Sequence, residues 1–219
     1  MGGAMRDRLR AIPVFAAELP GFDPASAPDD PAELFVRWLD HAVEAGVPEP
    51  HVVNLATADA AGRVASRFLI LKDVGPHGWS FASGSTSPKG LDLDANPHAA
   101  LACYWPRVGR QIRVSGTVAP EDPQTNAADF LARSPEARAE ALVGGQSRPM
   151  ESPAQHEREL VEARERVARE PSLVAPEWTL YTLAPAYVEF WQGDKDRNHI
   201  RLRYNAVGDG NWERVLLRP

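Results

Sequence analysis

The chain has 219 residues, of which 43% are hydrophobic and 25% are charged, as is usual for a folded domain with a sizeable core. Its net charge of −6 argues against general nucleic-acid binding, which needs a basic surface, but it does not exclude a local cationic pocket. The single cysteine, Cys103, excludes an internal disulfide and a cysteine zinc cluster.

The beginning of the chain is rich in Pro, Ala and Asp and has no sustained periodicity, so a partly ordered arm is predicted over residues 1–29. No long apolar stretch occurs there, so neither a signal peptide nor a membrane span is expected, and a cytoplasmic location follows by default. A helix is predicted from Pro31, because Asp30 suits the N-cap position and Glu33 follows it by three residues. Gly46 is the expected C-cap of this helix.

The middle of the chain shows the alternation and the turn residues of paired strands. Cys103 lies in one of these apolar runs, where it is expected to be a core side chain and not a nucleophile. The predicted strands cover 51–58, 63–73, 79–83, 99–105 and 110–120, and a short helix covers 87–97.

The second half of the chain contains helical patterns followed by further strands. The predicted helices cover 127–132, 136–142 and 153–169, and the charge on the last one is typical of a solvated face. The predicted strands cover 178–185, 187–193, 200–207 and 211–219, with a GDGN turn between the last two. This order predicts an α+β fold built on an antiparallel barrel or sheet, with residues 30–219 forming one domain.

Several catalytic motifs are missing from the sequence. It has no GxGxxG after a strand, no GxxxxGK[ST], no HExxH and no GxSxG elbow. Its six histidines do not have metal-ligand spacing, so no metal site is predicted. Hydrolase and nucleoside-triphosphatase functions therefore have little support.

Cationic side chains are concentrated in the stretch EFWQGDKDRNHIRLRY, residues 189–204. A period of two from Arg197 would place Arg197, His199, Arg201 and Arg203 on one side of an extended chain. Such a face is either a solvated edge strand that resists aggregation or a site for an anion.

Two further segments carry cations at the ends of predicted elements. Arg67 and Lys72 have an odd separation, so they would share a site only if the strand had a bulge or an end at Lys72. Lys89 lies near the start of a short helix, which is a natural anion cradle.

These segments follow one another in a distinctive order: RFLILK (67–72), SPKG (87–90), RQ (110–111), QS (146–147), EFWQG (189–193) and RNHIR (197–201). The set resembles the pyridoxamine 5′-phosphate oxidase family from about Leu34 to Pro219. The resemblance implies an antiparallel split β-barrel with peripheral helices that binds FMN at the interface of a homodimer. It covers both the vitamin B6 oxidases and the flavin oxidases of phenazine biosynthesis.

The resemblance also implies a role for each matching residue. Arg67 and Lys89 would hold the FMN phosphate, and Lys72 would lie beside the cofactor. Further cofactor contacts would come from Ser83, Gln111, Gln146, Ser147, Trp191 and Arg201, with Gln146 and Ser147 reaching FMN from the partner subunit or its rim. Arg197 and His199 would hold the substrate over the flavin as the catalytic pair. Lys72 and Arg133 would hold the substrate phosphate.

Four positions depart from the family pattern. Pro88 replaces an arginine that helps to bind the FMN phosphate. Asp129 and Ala137 replace a tyrosine and a serine at the substrate phosphate, and Asn198 replaces a leucine. A carboxylate near a phosphate dianion adds repulsion, and a lost hydroxyl donor to a charged group costs about 1.5–3 kcal/mol.

The resemblance implies an FMN-dependent oxidase, in which a hydride passes to the flavin and molecular oxygen reoxidises it to give hydrogen peroxide. Pyridoxine or pyridoxamine 5′-phosphate is the default substrate. A phenazine-type or other metabolite without a phosphate is the alternative that Asp129 and Ala137 favour. A flavin- or B6-binding module without turnover is a second alternative, and a split-barrel reductase with another flavin-like cofactor is a third.

Overall fold

A computed structural model of the protein describes residues 2–15 and 18–219. Its α-helices are α1 Gly2–Arg10, α2 Pro31–Glu44, α3 Pro88–Ala95, α4 Pro123–Leu131, α5 Pro135–Val143 and α6 Pro153–Arg169. Its strands are β1 Val52–Ala58, β2 Val64–Gly75, β3 Gly78–Gly84, β4 His98–Trp105, β5 Arg110–Pro120, β6 Trp178–Gln192, β7 Ile200–Gly208 and β8 Asn211–Leu217. None of the helices in these ranges has the length and apolar character needed to cross a membrane.

The strands form one sheet in the order β3-β2-β1-β4-β5-β6-β7-β8. Strand β3 also pairs antiparallel with β6, so the first six strands close into a barrel. Strands β7 and β8 continue from β6 as an antiparallel hairpin. The predicted α+β split barrel with peripheral helices is therefore confirmed.

The chain divides into two compact units. The first comprises residues 1–51, 102–114 and 187–219, and the second comprises residues 52–101 and 115–186. In the first unit, Phe190 packs edge-to-face against Trp38 and Tyr204, with ring centroids 5.2 and 5.7 Å away. In the second unit, Phe81 stacks on Tyr181 at 5.6 Å. Each unit thus has an aromatic core of its own, and such pairs add about 0.5–1.5 kcal/mol beyond their burial.

Cys103 is a core side chain, as predicted. Only 6% of its surface is exposed. Burial raises the pKa of the Cys103 thiol to about 12, so the group stays protonated at neutral pH and is a poor nucleophile.

Helix α2 has the predicted start but a slightly different end. The Asp30 side chain accepts a hydrogen bond from the Ala32 N–H, and Pro31 opens the helix. The C-cap is Ala45, and Gly46 follows it with φ +67°. The helix therefore ends one position earlier than predicted, and Gly46 follows the cap in the left-handed conformation that glycine adopts without strain.

Two other elements differ from the predicted bounds. Helix α4 begins at Pro123, four residues before the predicted start, because the Asp122 side chain caps it. The strands predicted at 178–185 and 187–193 are the single strand β6. Pro185 does not interrupt it, because β3 pairs with residues 178–183 and β7 with residues 187–192, so the proline lies between the two pairings.

The predicted arm over residues 1–29 contains a helix, α1, that the sequence analysis did not anticipate. Residues 1, 16 and 17 of this arm lie outside the described residues. Its end is fixed: the Tyr204 hydroxyl donates a hydrogen bond of 2.7 Å to the Pro28 carbonyl, and Arg214 donates to the Ala27 carbonyl. The boundary at residue 29 stays a prediction.

Gly78 permits the pairing that closes the barrel. Its φ is +132°, and a Cβ at this position would lie 2.1 Å from the Leu183 carbonyl oxygen of β6. We expect Gly78→Ala to lower the free energy of unfolding by at least about 2 kcal/mol. The measurement is urea unfolding, with Gly75→Ala as the matched control, since a Cβ on Gly75 meets nothing within 4 Å. Equal stability of the two variants would contradict this account.

Candidate functional site

Five of the predicted cofactor-binding residues line one cavity of about 550 Å³ in the second unit. They are Arg67, Ser83, Lys89, Gln146 and Ser147. Arg133, predicted at the substrate phosphate, lines the same cavity. The second unit therefore places side chains together that are up to 80 positions apart in the sequence.

Lys89 reaches this cavity from the first turn of α3. The Ser87 side chain caps that helix by accepting a hydrogen bond from the Gly90 N–H, and Pro88 occupies the first helical position. Gly90 is needed there, because a Cβ would lie 2.2 Å from the Ser85 carbonyl oxygen. The Lys89 ammonium donates to Gln146 Oε1 at 2.8 Å and to Ser87 Oγ at 3.3 Å, so both partners are neutral.

Gln146 is presented to Lys89 by a tight loop after α5. Gly144, Gly145 and Ser147 all have positive φ values of 66–69°. The Ser83 hydroxyl of β3 also lies 3.4 Å from Gln146 Oε1. Pro88 also lines the cavity, to which it brings no cationic group.

Arg67 is held in place on β2 by neighbours on β1 and α3. Its Nη1 donates to Thr57 Oγ1 at 2.8 Å and to the Leu55 carbonyl at 3.2 Å, and its Nη2 lies 3.9 Å from Asp92. The Thr57 hydroxyl in turn donates to the same carboxylate at 2.7 Å. This network leaves the guanidinium rigid and only weakly neutralised.

Lys89 and Arg67 together form a site that favours an anion. Burial, followed by the nearby Arg67 charge, lowers the pKa of Lys89 to about 8. Burial lowers the pKa of Arg67, and Asp92 partly opposes this effect. Two partly buried cations that destabilise one another gain free energy when a dianion binds between them, and guanidinium and ammonium groups are suited to phosphate.

Strand β2 has a bulge at Lys72, which is one of the two conditions under which Lys72 and Arg67 were predicted to share a site. The pairing of β2 with β3 shifts its register between Leu71 and Asp73. The Lys72 ammonium forms an ion pair of 3.0 Å with Asp129 Oδ1. Asp129 Oδ2 accepts a hydrogen bond of 2.8 Å from the indole of Trp178, which lines the cavity. The charge of Lys72 is therefore already neutralised, and Lys72 itself does not line the cavity.

Arg133 stacks on the ring of Trp178. Its guanidinium carbon lies 3.8 Å from the centroid of the Trp178 ring. Its Nη1 is buried and has no hydrogen-bond partner among residues 2–15 and 18–219. A buried donor without a partner is costly, so this edge of the cavity is suited to an acceptor from a ligand. Ala137 offers no hydroxyl, and its N–H is bonded to the capping Ser134.

The remaining predicted cofactor residues, Gln111, Trp191 and Arg201, line a second cavity of about 470 Å³ in the first unit. Arg201 donates from Nε and Nη2 to Glu189 Oε1, at 3.1 and 2.7 Å. Glu189 is only 3% exposed, and sequence reasoning gave it no role. A carboxylate inside the apolar run YVEFW was the available signal, since a buried charge needs a partner.

The predicted face of four cations on one strand is wrong for Arg197 and His199. Strand β7 begins at Ile200, and residues 193–199 form a loop. Arg197 has φ +67°, a left-handed conformation that costs a non-glycine residue about 1–2 kcal/mol. A period of two therefore does not apply before residue 200. Within β7 it holds, because Leu202 and Tyr204 are buried and Arg201 and Arg203 are not.

The loop nevertheless brings His199 next to a predicted cofactor residue. The His199 ring lies 5.0 Å from the Trp191 ring, centroid to centroid, and 6.1 Å from that of Phe15. Asp194 N–H donates to His199 Nδ1 at 3.0 Å. Sequence reasoning missed both Phe15 and Asp194, because neither belongs to a recognisable spacing.

Buried Arg110 supports this region from β5. It donates from Nε to Gln192 Oε1 at 2.9 Å, and its guanidinium lies 4.2 Å from the Trp38 ring centroid. Burial lowers the pKa of Arg110 to about 10. The Gln192 amide donates to the Val108 carbonyl, which fixes the strand position directly after Trp191.

Two family profiles match the chain. The profile described as pyridoxamine 5′-phosphate oxidase matches residues 39–169, and the profile of the pyridoxine 5′-phosphate oxidase C-terminal dimerisation region matches residues 178–219. Among curated proteins, the pyridoxine/pyridoxamine 5′-phosphate oxidase of Paraburkholderia phymatum is 38% identical over 205 residues, covering 92% of this chain and 94% of its own. The one from Rubrobacter xylanophilus is 37% identical, covering 88% of each chain.

Solved structures show the same relationship. The crystal structure of PhzG from Burkholderia lata 383, in complex with tetrahydrophenazine-1-carboxylic acid, superimposes with a TM-score of 0.85 and 30% identity, covering 93% of this chain and 100% of that one. A pyridoxamine 5′-phosphate oxidase-related, FMN-binding protein from Nostoc punctiforme has a TM-score of 0.71 at 19% identity and shares the fold.

The low pKa of Lys89 predicts how anion binding depends on pH. Below pH 8 the ammonium is charged and attracts a phosphate group; above pH 8 the free protein loses that charge. We expect the affinity of the apoprotein for FMN to be nearly constant from pH 7 to 7.5 and to fall by up to about tenfold per pH unit above 8. Isothermal titration calorimetry measures this. In Lys89→Arg the dependence should flatten, because a guanidinium does not titrate in this range. A wild-type affinity that does not change up to pH 9 would contradict the prediction.

Proposed function

This chain belongs to the pyridoxamine 5′-phosphate oxidase family, and on that premise we propose that it is an FMN-dependent oxidase of pyridoxine or pyridoxamine 5′-phosphate. Molecular oxygen is the proposed acceptor and hydrogen peroxide the product. The observation that carries the proposal is the cavity that both Arg67 and Lys89 line, in which the hydrogen-bond partners of the Lys89 ammonium are the neutral groups of Gln146 and Ser87.

The cavity residues fit FMN chemically. The two cations match a phosphate dianion, and Ser83, Gln146 and Ser147 offer hydroxyl and amide groups to a polyol chain. The Arg133 Nη1, for which the described part of the chain offers no partner, adds a donor at the same cavity. Bound FMN would supply the two-electron redox chemistry that no side chain of the protein can supply.

The protein's own contribution is to bind and orient the substrate. Arg197 and His199 are the proposed substrate-holding pair, and Trp191 packs beside His199. A substrate that is held in the reactive orientation has already lost its translational and rotational entropy on binding, so this loss no longer adds to the barrier of the reaction step.

A homodimer is supported by the match to the C-terminal dimerisation region. We place FMN at its interface because one face of β2 is unusually apolar at the surface. Val64 and Phe68 are each 74% exposed and Ile70 is 51% exposed. Contiguous exposed apolar residues of this kind mark interfaces, and Phe68 also lines the FMN cavity, so a partner covering β2 would also border the cavity.

A second candidate, oxidation of a substrate without a phosphate group, is favoured by the ion pair between Lys72 and Asp129. Lys72 and Arg133 carry two positive charges at the proposed substrate end, and Asp129 removes one of them. With the charge of Lys72 neutralised, the proposed substrate end suits a neutral or singly charged substrate better than a phosphate dianion. The similarity to PhzG, crystallised with a carboxylic acid, is consistent with this candidate.

Anaerobic mixing of the FMN-loaded protein with pyridoxamine 5′-phosphate tests the proposal directly. Bleaching of the flavin absorbance is the expected result. In Arg197→Ala the rate of bleaching should fall at least about 100-fold with the flavin still bound, because a charged contact to the substrate is lost. Lys195→Ala, an exposed change in the same loop, is the control. Bound flavin that neither pyridoxamine nor its phosphate bleaches would overturn the proposed substrate in favour of a phenazine-type or other metabolite, or of a binding module without turnover.

Asp129→Asn distinguishes the two substrate classes. The amide keeps an acceptor for the Trp178 indole but frees the charge of Lys72. We expect KM for pyridoxamine 5′-phosphate to fall roughly tenfold or more, with little change for pyridoxamine. Asp73→Asn, an exposed carboxylate next to the β2 bulge, is the control. An unchanged KM ratio would mean that Asp129 does not decide between the substrates.

A further inference from the structure

Asp194 is the centre of the hydrogen bonds in the loop 193–199. Its backbone N–H donates to His199 Nδ1 at 3.0 Å. Its Oδ1 accepts from the N–H groups of Asp196 and Asn198, at 2.8 and 3.1 Å, and its carbonyl accepts from the Arg197 N–H at 3.2 Å. We propose that Asp194 is a positioning residue that sets the tautomer of His199 and the backbone conformation of Arg197. The proposal rests on the proposed function in taking these two residues as the substrate-holding pair.

The hydrogen bond to His199 determines which ring nitrogen carries the proton. A nitrogen that accepts an N–H bond uses its lone pair and cannot itself be protonated. The proton of the neutral imidazole therefore lies on Nε2, which is left as a donor. His199 would then donate a hydrogen bond from Nε2 to the substrate, and the acceptor on the substrate would be an oxygen or an unprotonated nitrogen.

The carboxylate of Asp194 has a separate effect on Arg197. Asp side chains that accept from the backbone two and four residues later stabilise a local turn in place of a strand. Arg197 lies inside this turn with φ +67°. The hydrogen bonds of the turn offset the strain of that conformation and keep Arg197 outside β7, which begins at Ile200.

The two ends of the loop are also held by contacts that do not involve the Asp194 carboxylate. Gly193 donates its N–H to the Gly109 carbonyl at 2.7 Å, and a Cβ on Gly193 would lie 2.8 Å from the Phe15 ring. At the other end, the His199 ring packs against Trp191. Since both ends are held, removal of the Asp194 carboxylate is expected to loosen the interior of the loop and leave the fold intact.

Nitrogen-15 NMR of the histidine rings tests the tautomer without turnover. The His199 signals are assigned from their loss in His199→Gln. In the wild type we expect Nε2 to show the protonated shift and Nδ1 the unprotonated shift. Asp194→Ala keeps the backbone N–H but removes the carboxylate that accepts from Asp196 and Asn198 and so fixes the turn that directs this N–H at Nδ1. The two shifts should therefore move towards each other as the tautomers mix, whereas Asp194→Asn, which keeps an acceptor, should restore the wild-type pattern. Asp196→Ala removes a neighbouring exposed carboxylate and is the control.

Steady-state kinetics give the second readout. We expect kcat/KM of the FMN-loaded protein to fall about tenfold in Asp194→Ala and to be restored to within about threefold in Asp194→Asn, with equal flavin content. A protonated Nδ1 in the wild type, or an Asp194→Ala protein that matches the wild type in both spectrum and kcat/KM, would overturn the inference. If no variant turns over but the tautomers mix in Asp194→Ala, the proposed activity fails while the positioning role stands.

Discussion

The pair of partly buried cations at Arg67 and Lys89 is the constraint on which the rest of the site depends. An ammonium next to a guanidinium in a cavity is unfavourable unless something negative lies between them, and here the partners of Lys89 are neutral oxygens. The fold tolerates this arrangement because several elements hold it: the β1 hydroxyl of Thr57, the capped start of α3, and the glycine-rich loop that ends in Gln146. Cationic charge that Asp92 neutralises only in part favours an anion at this cavity.

Two other cations of the protein, unlike Lys89, are each paired with a carboxylate. Arg201 is matched by buried Glu189, and Lys72 is matched by Asp129. Both pairs lie beside cavities, and in both the carboxylate reduces the demand for an external anion. The cations therefore differ in whether their nearest partner is a carboxylate or a neutral group. Positive charges that looked equivalent along the sequence divide into those already satisfied and those that are not.

The loop 193–199 shows how local hydrogen bonds override a periodic pattern. Alternation over residues 197–203 predicts a strand, yet Asp194 offers the backbone acceptors that a strand partner would otherwise supply. The pairing of β7 with β6 begins only at Ile200. A turn that is satisfied by its own side chain needs no neighbouring strand, so Arg197 and His199 are presented from a loop on a rigid scaffold, where binding residues are commonly found.

The sequence by itself determined most of the strands and helix positions and the split-barrel class, because alternation, caps and ordered motifs are local or carried by family resemblance. It predicted one cofactor site, whereas the structure divides the predicted residues between two cavities. It also showed that Arg67 and Lys72 could share a site only with a bulge or a strand end at Lys72, since five residues of regular strand reverse the side-chain direction, and the structure has a bulge there. Only the tertiary structure decided that Pro185 lies within one continuous strand, that Asp129 neutralises Lys72, that Glu189 holds Arg201 and that Asp194 organises the loop. Each of these depends on which groups meet across the fold or on whether a side chain finds a backbone partner, and no periodicity along the chain encodes either.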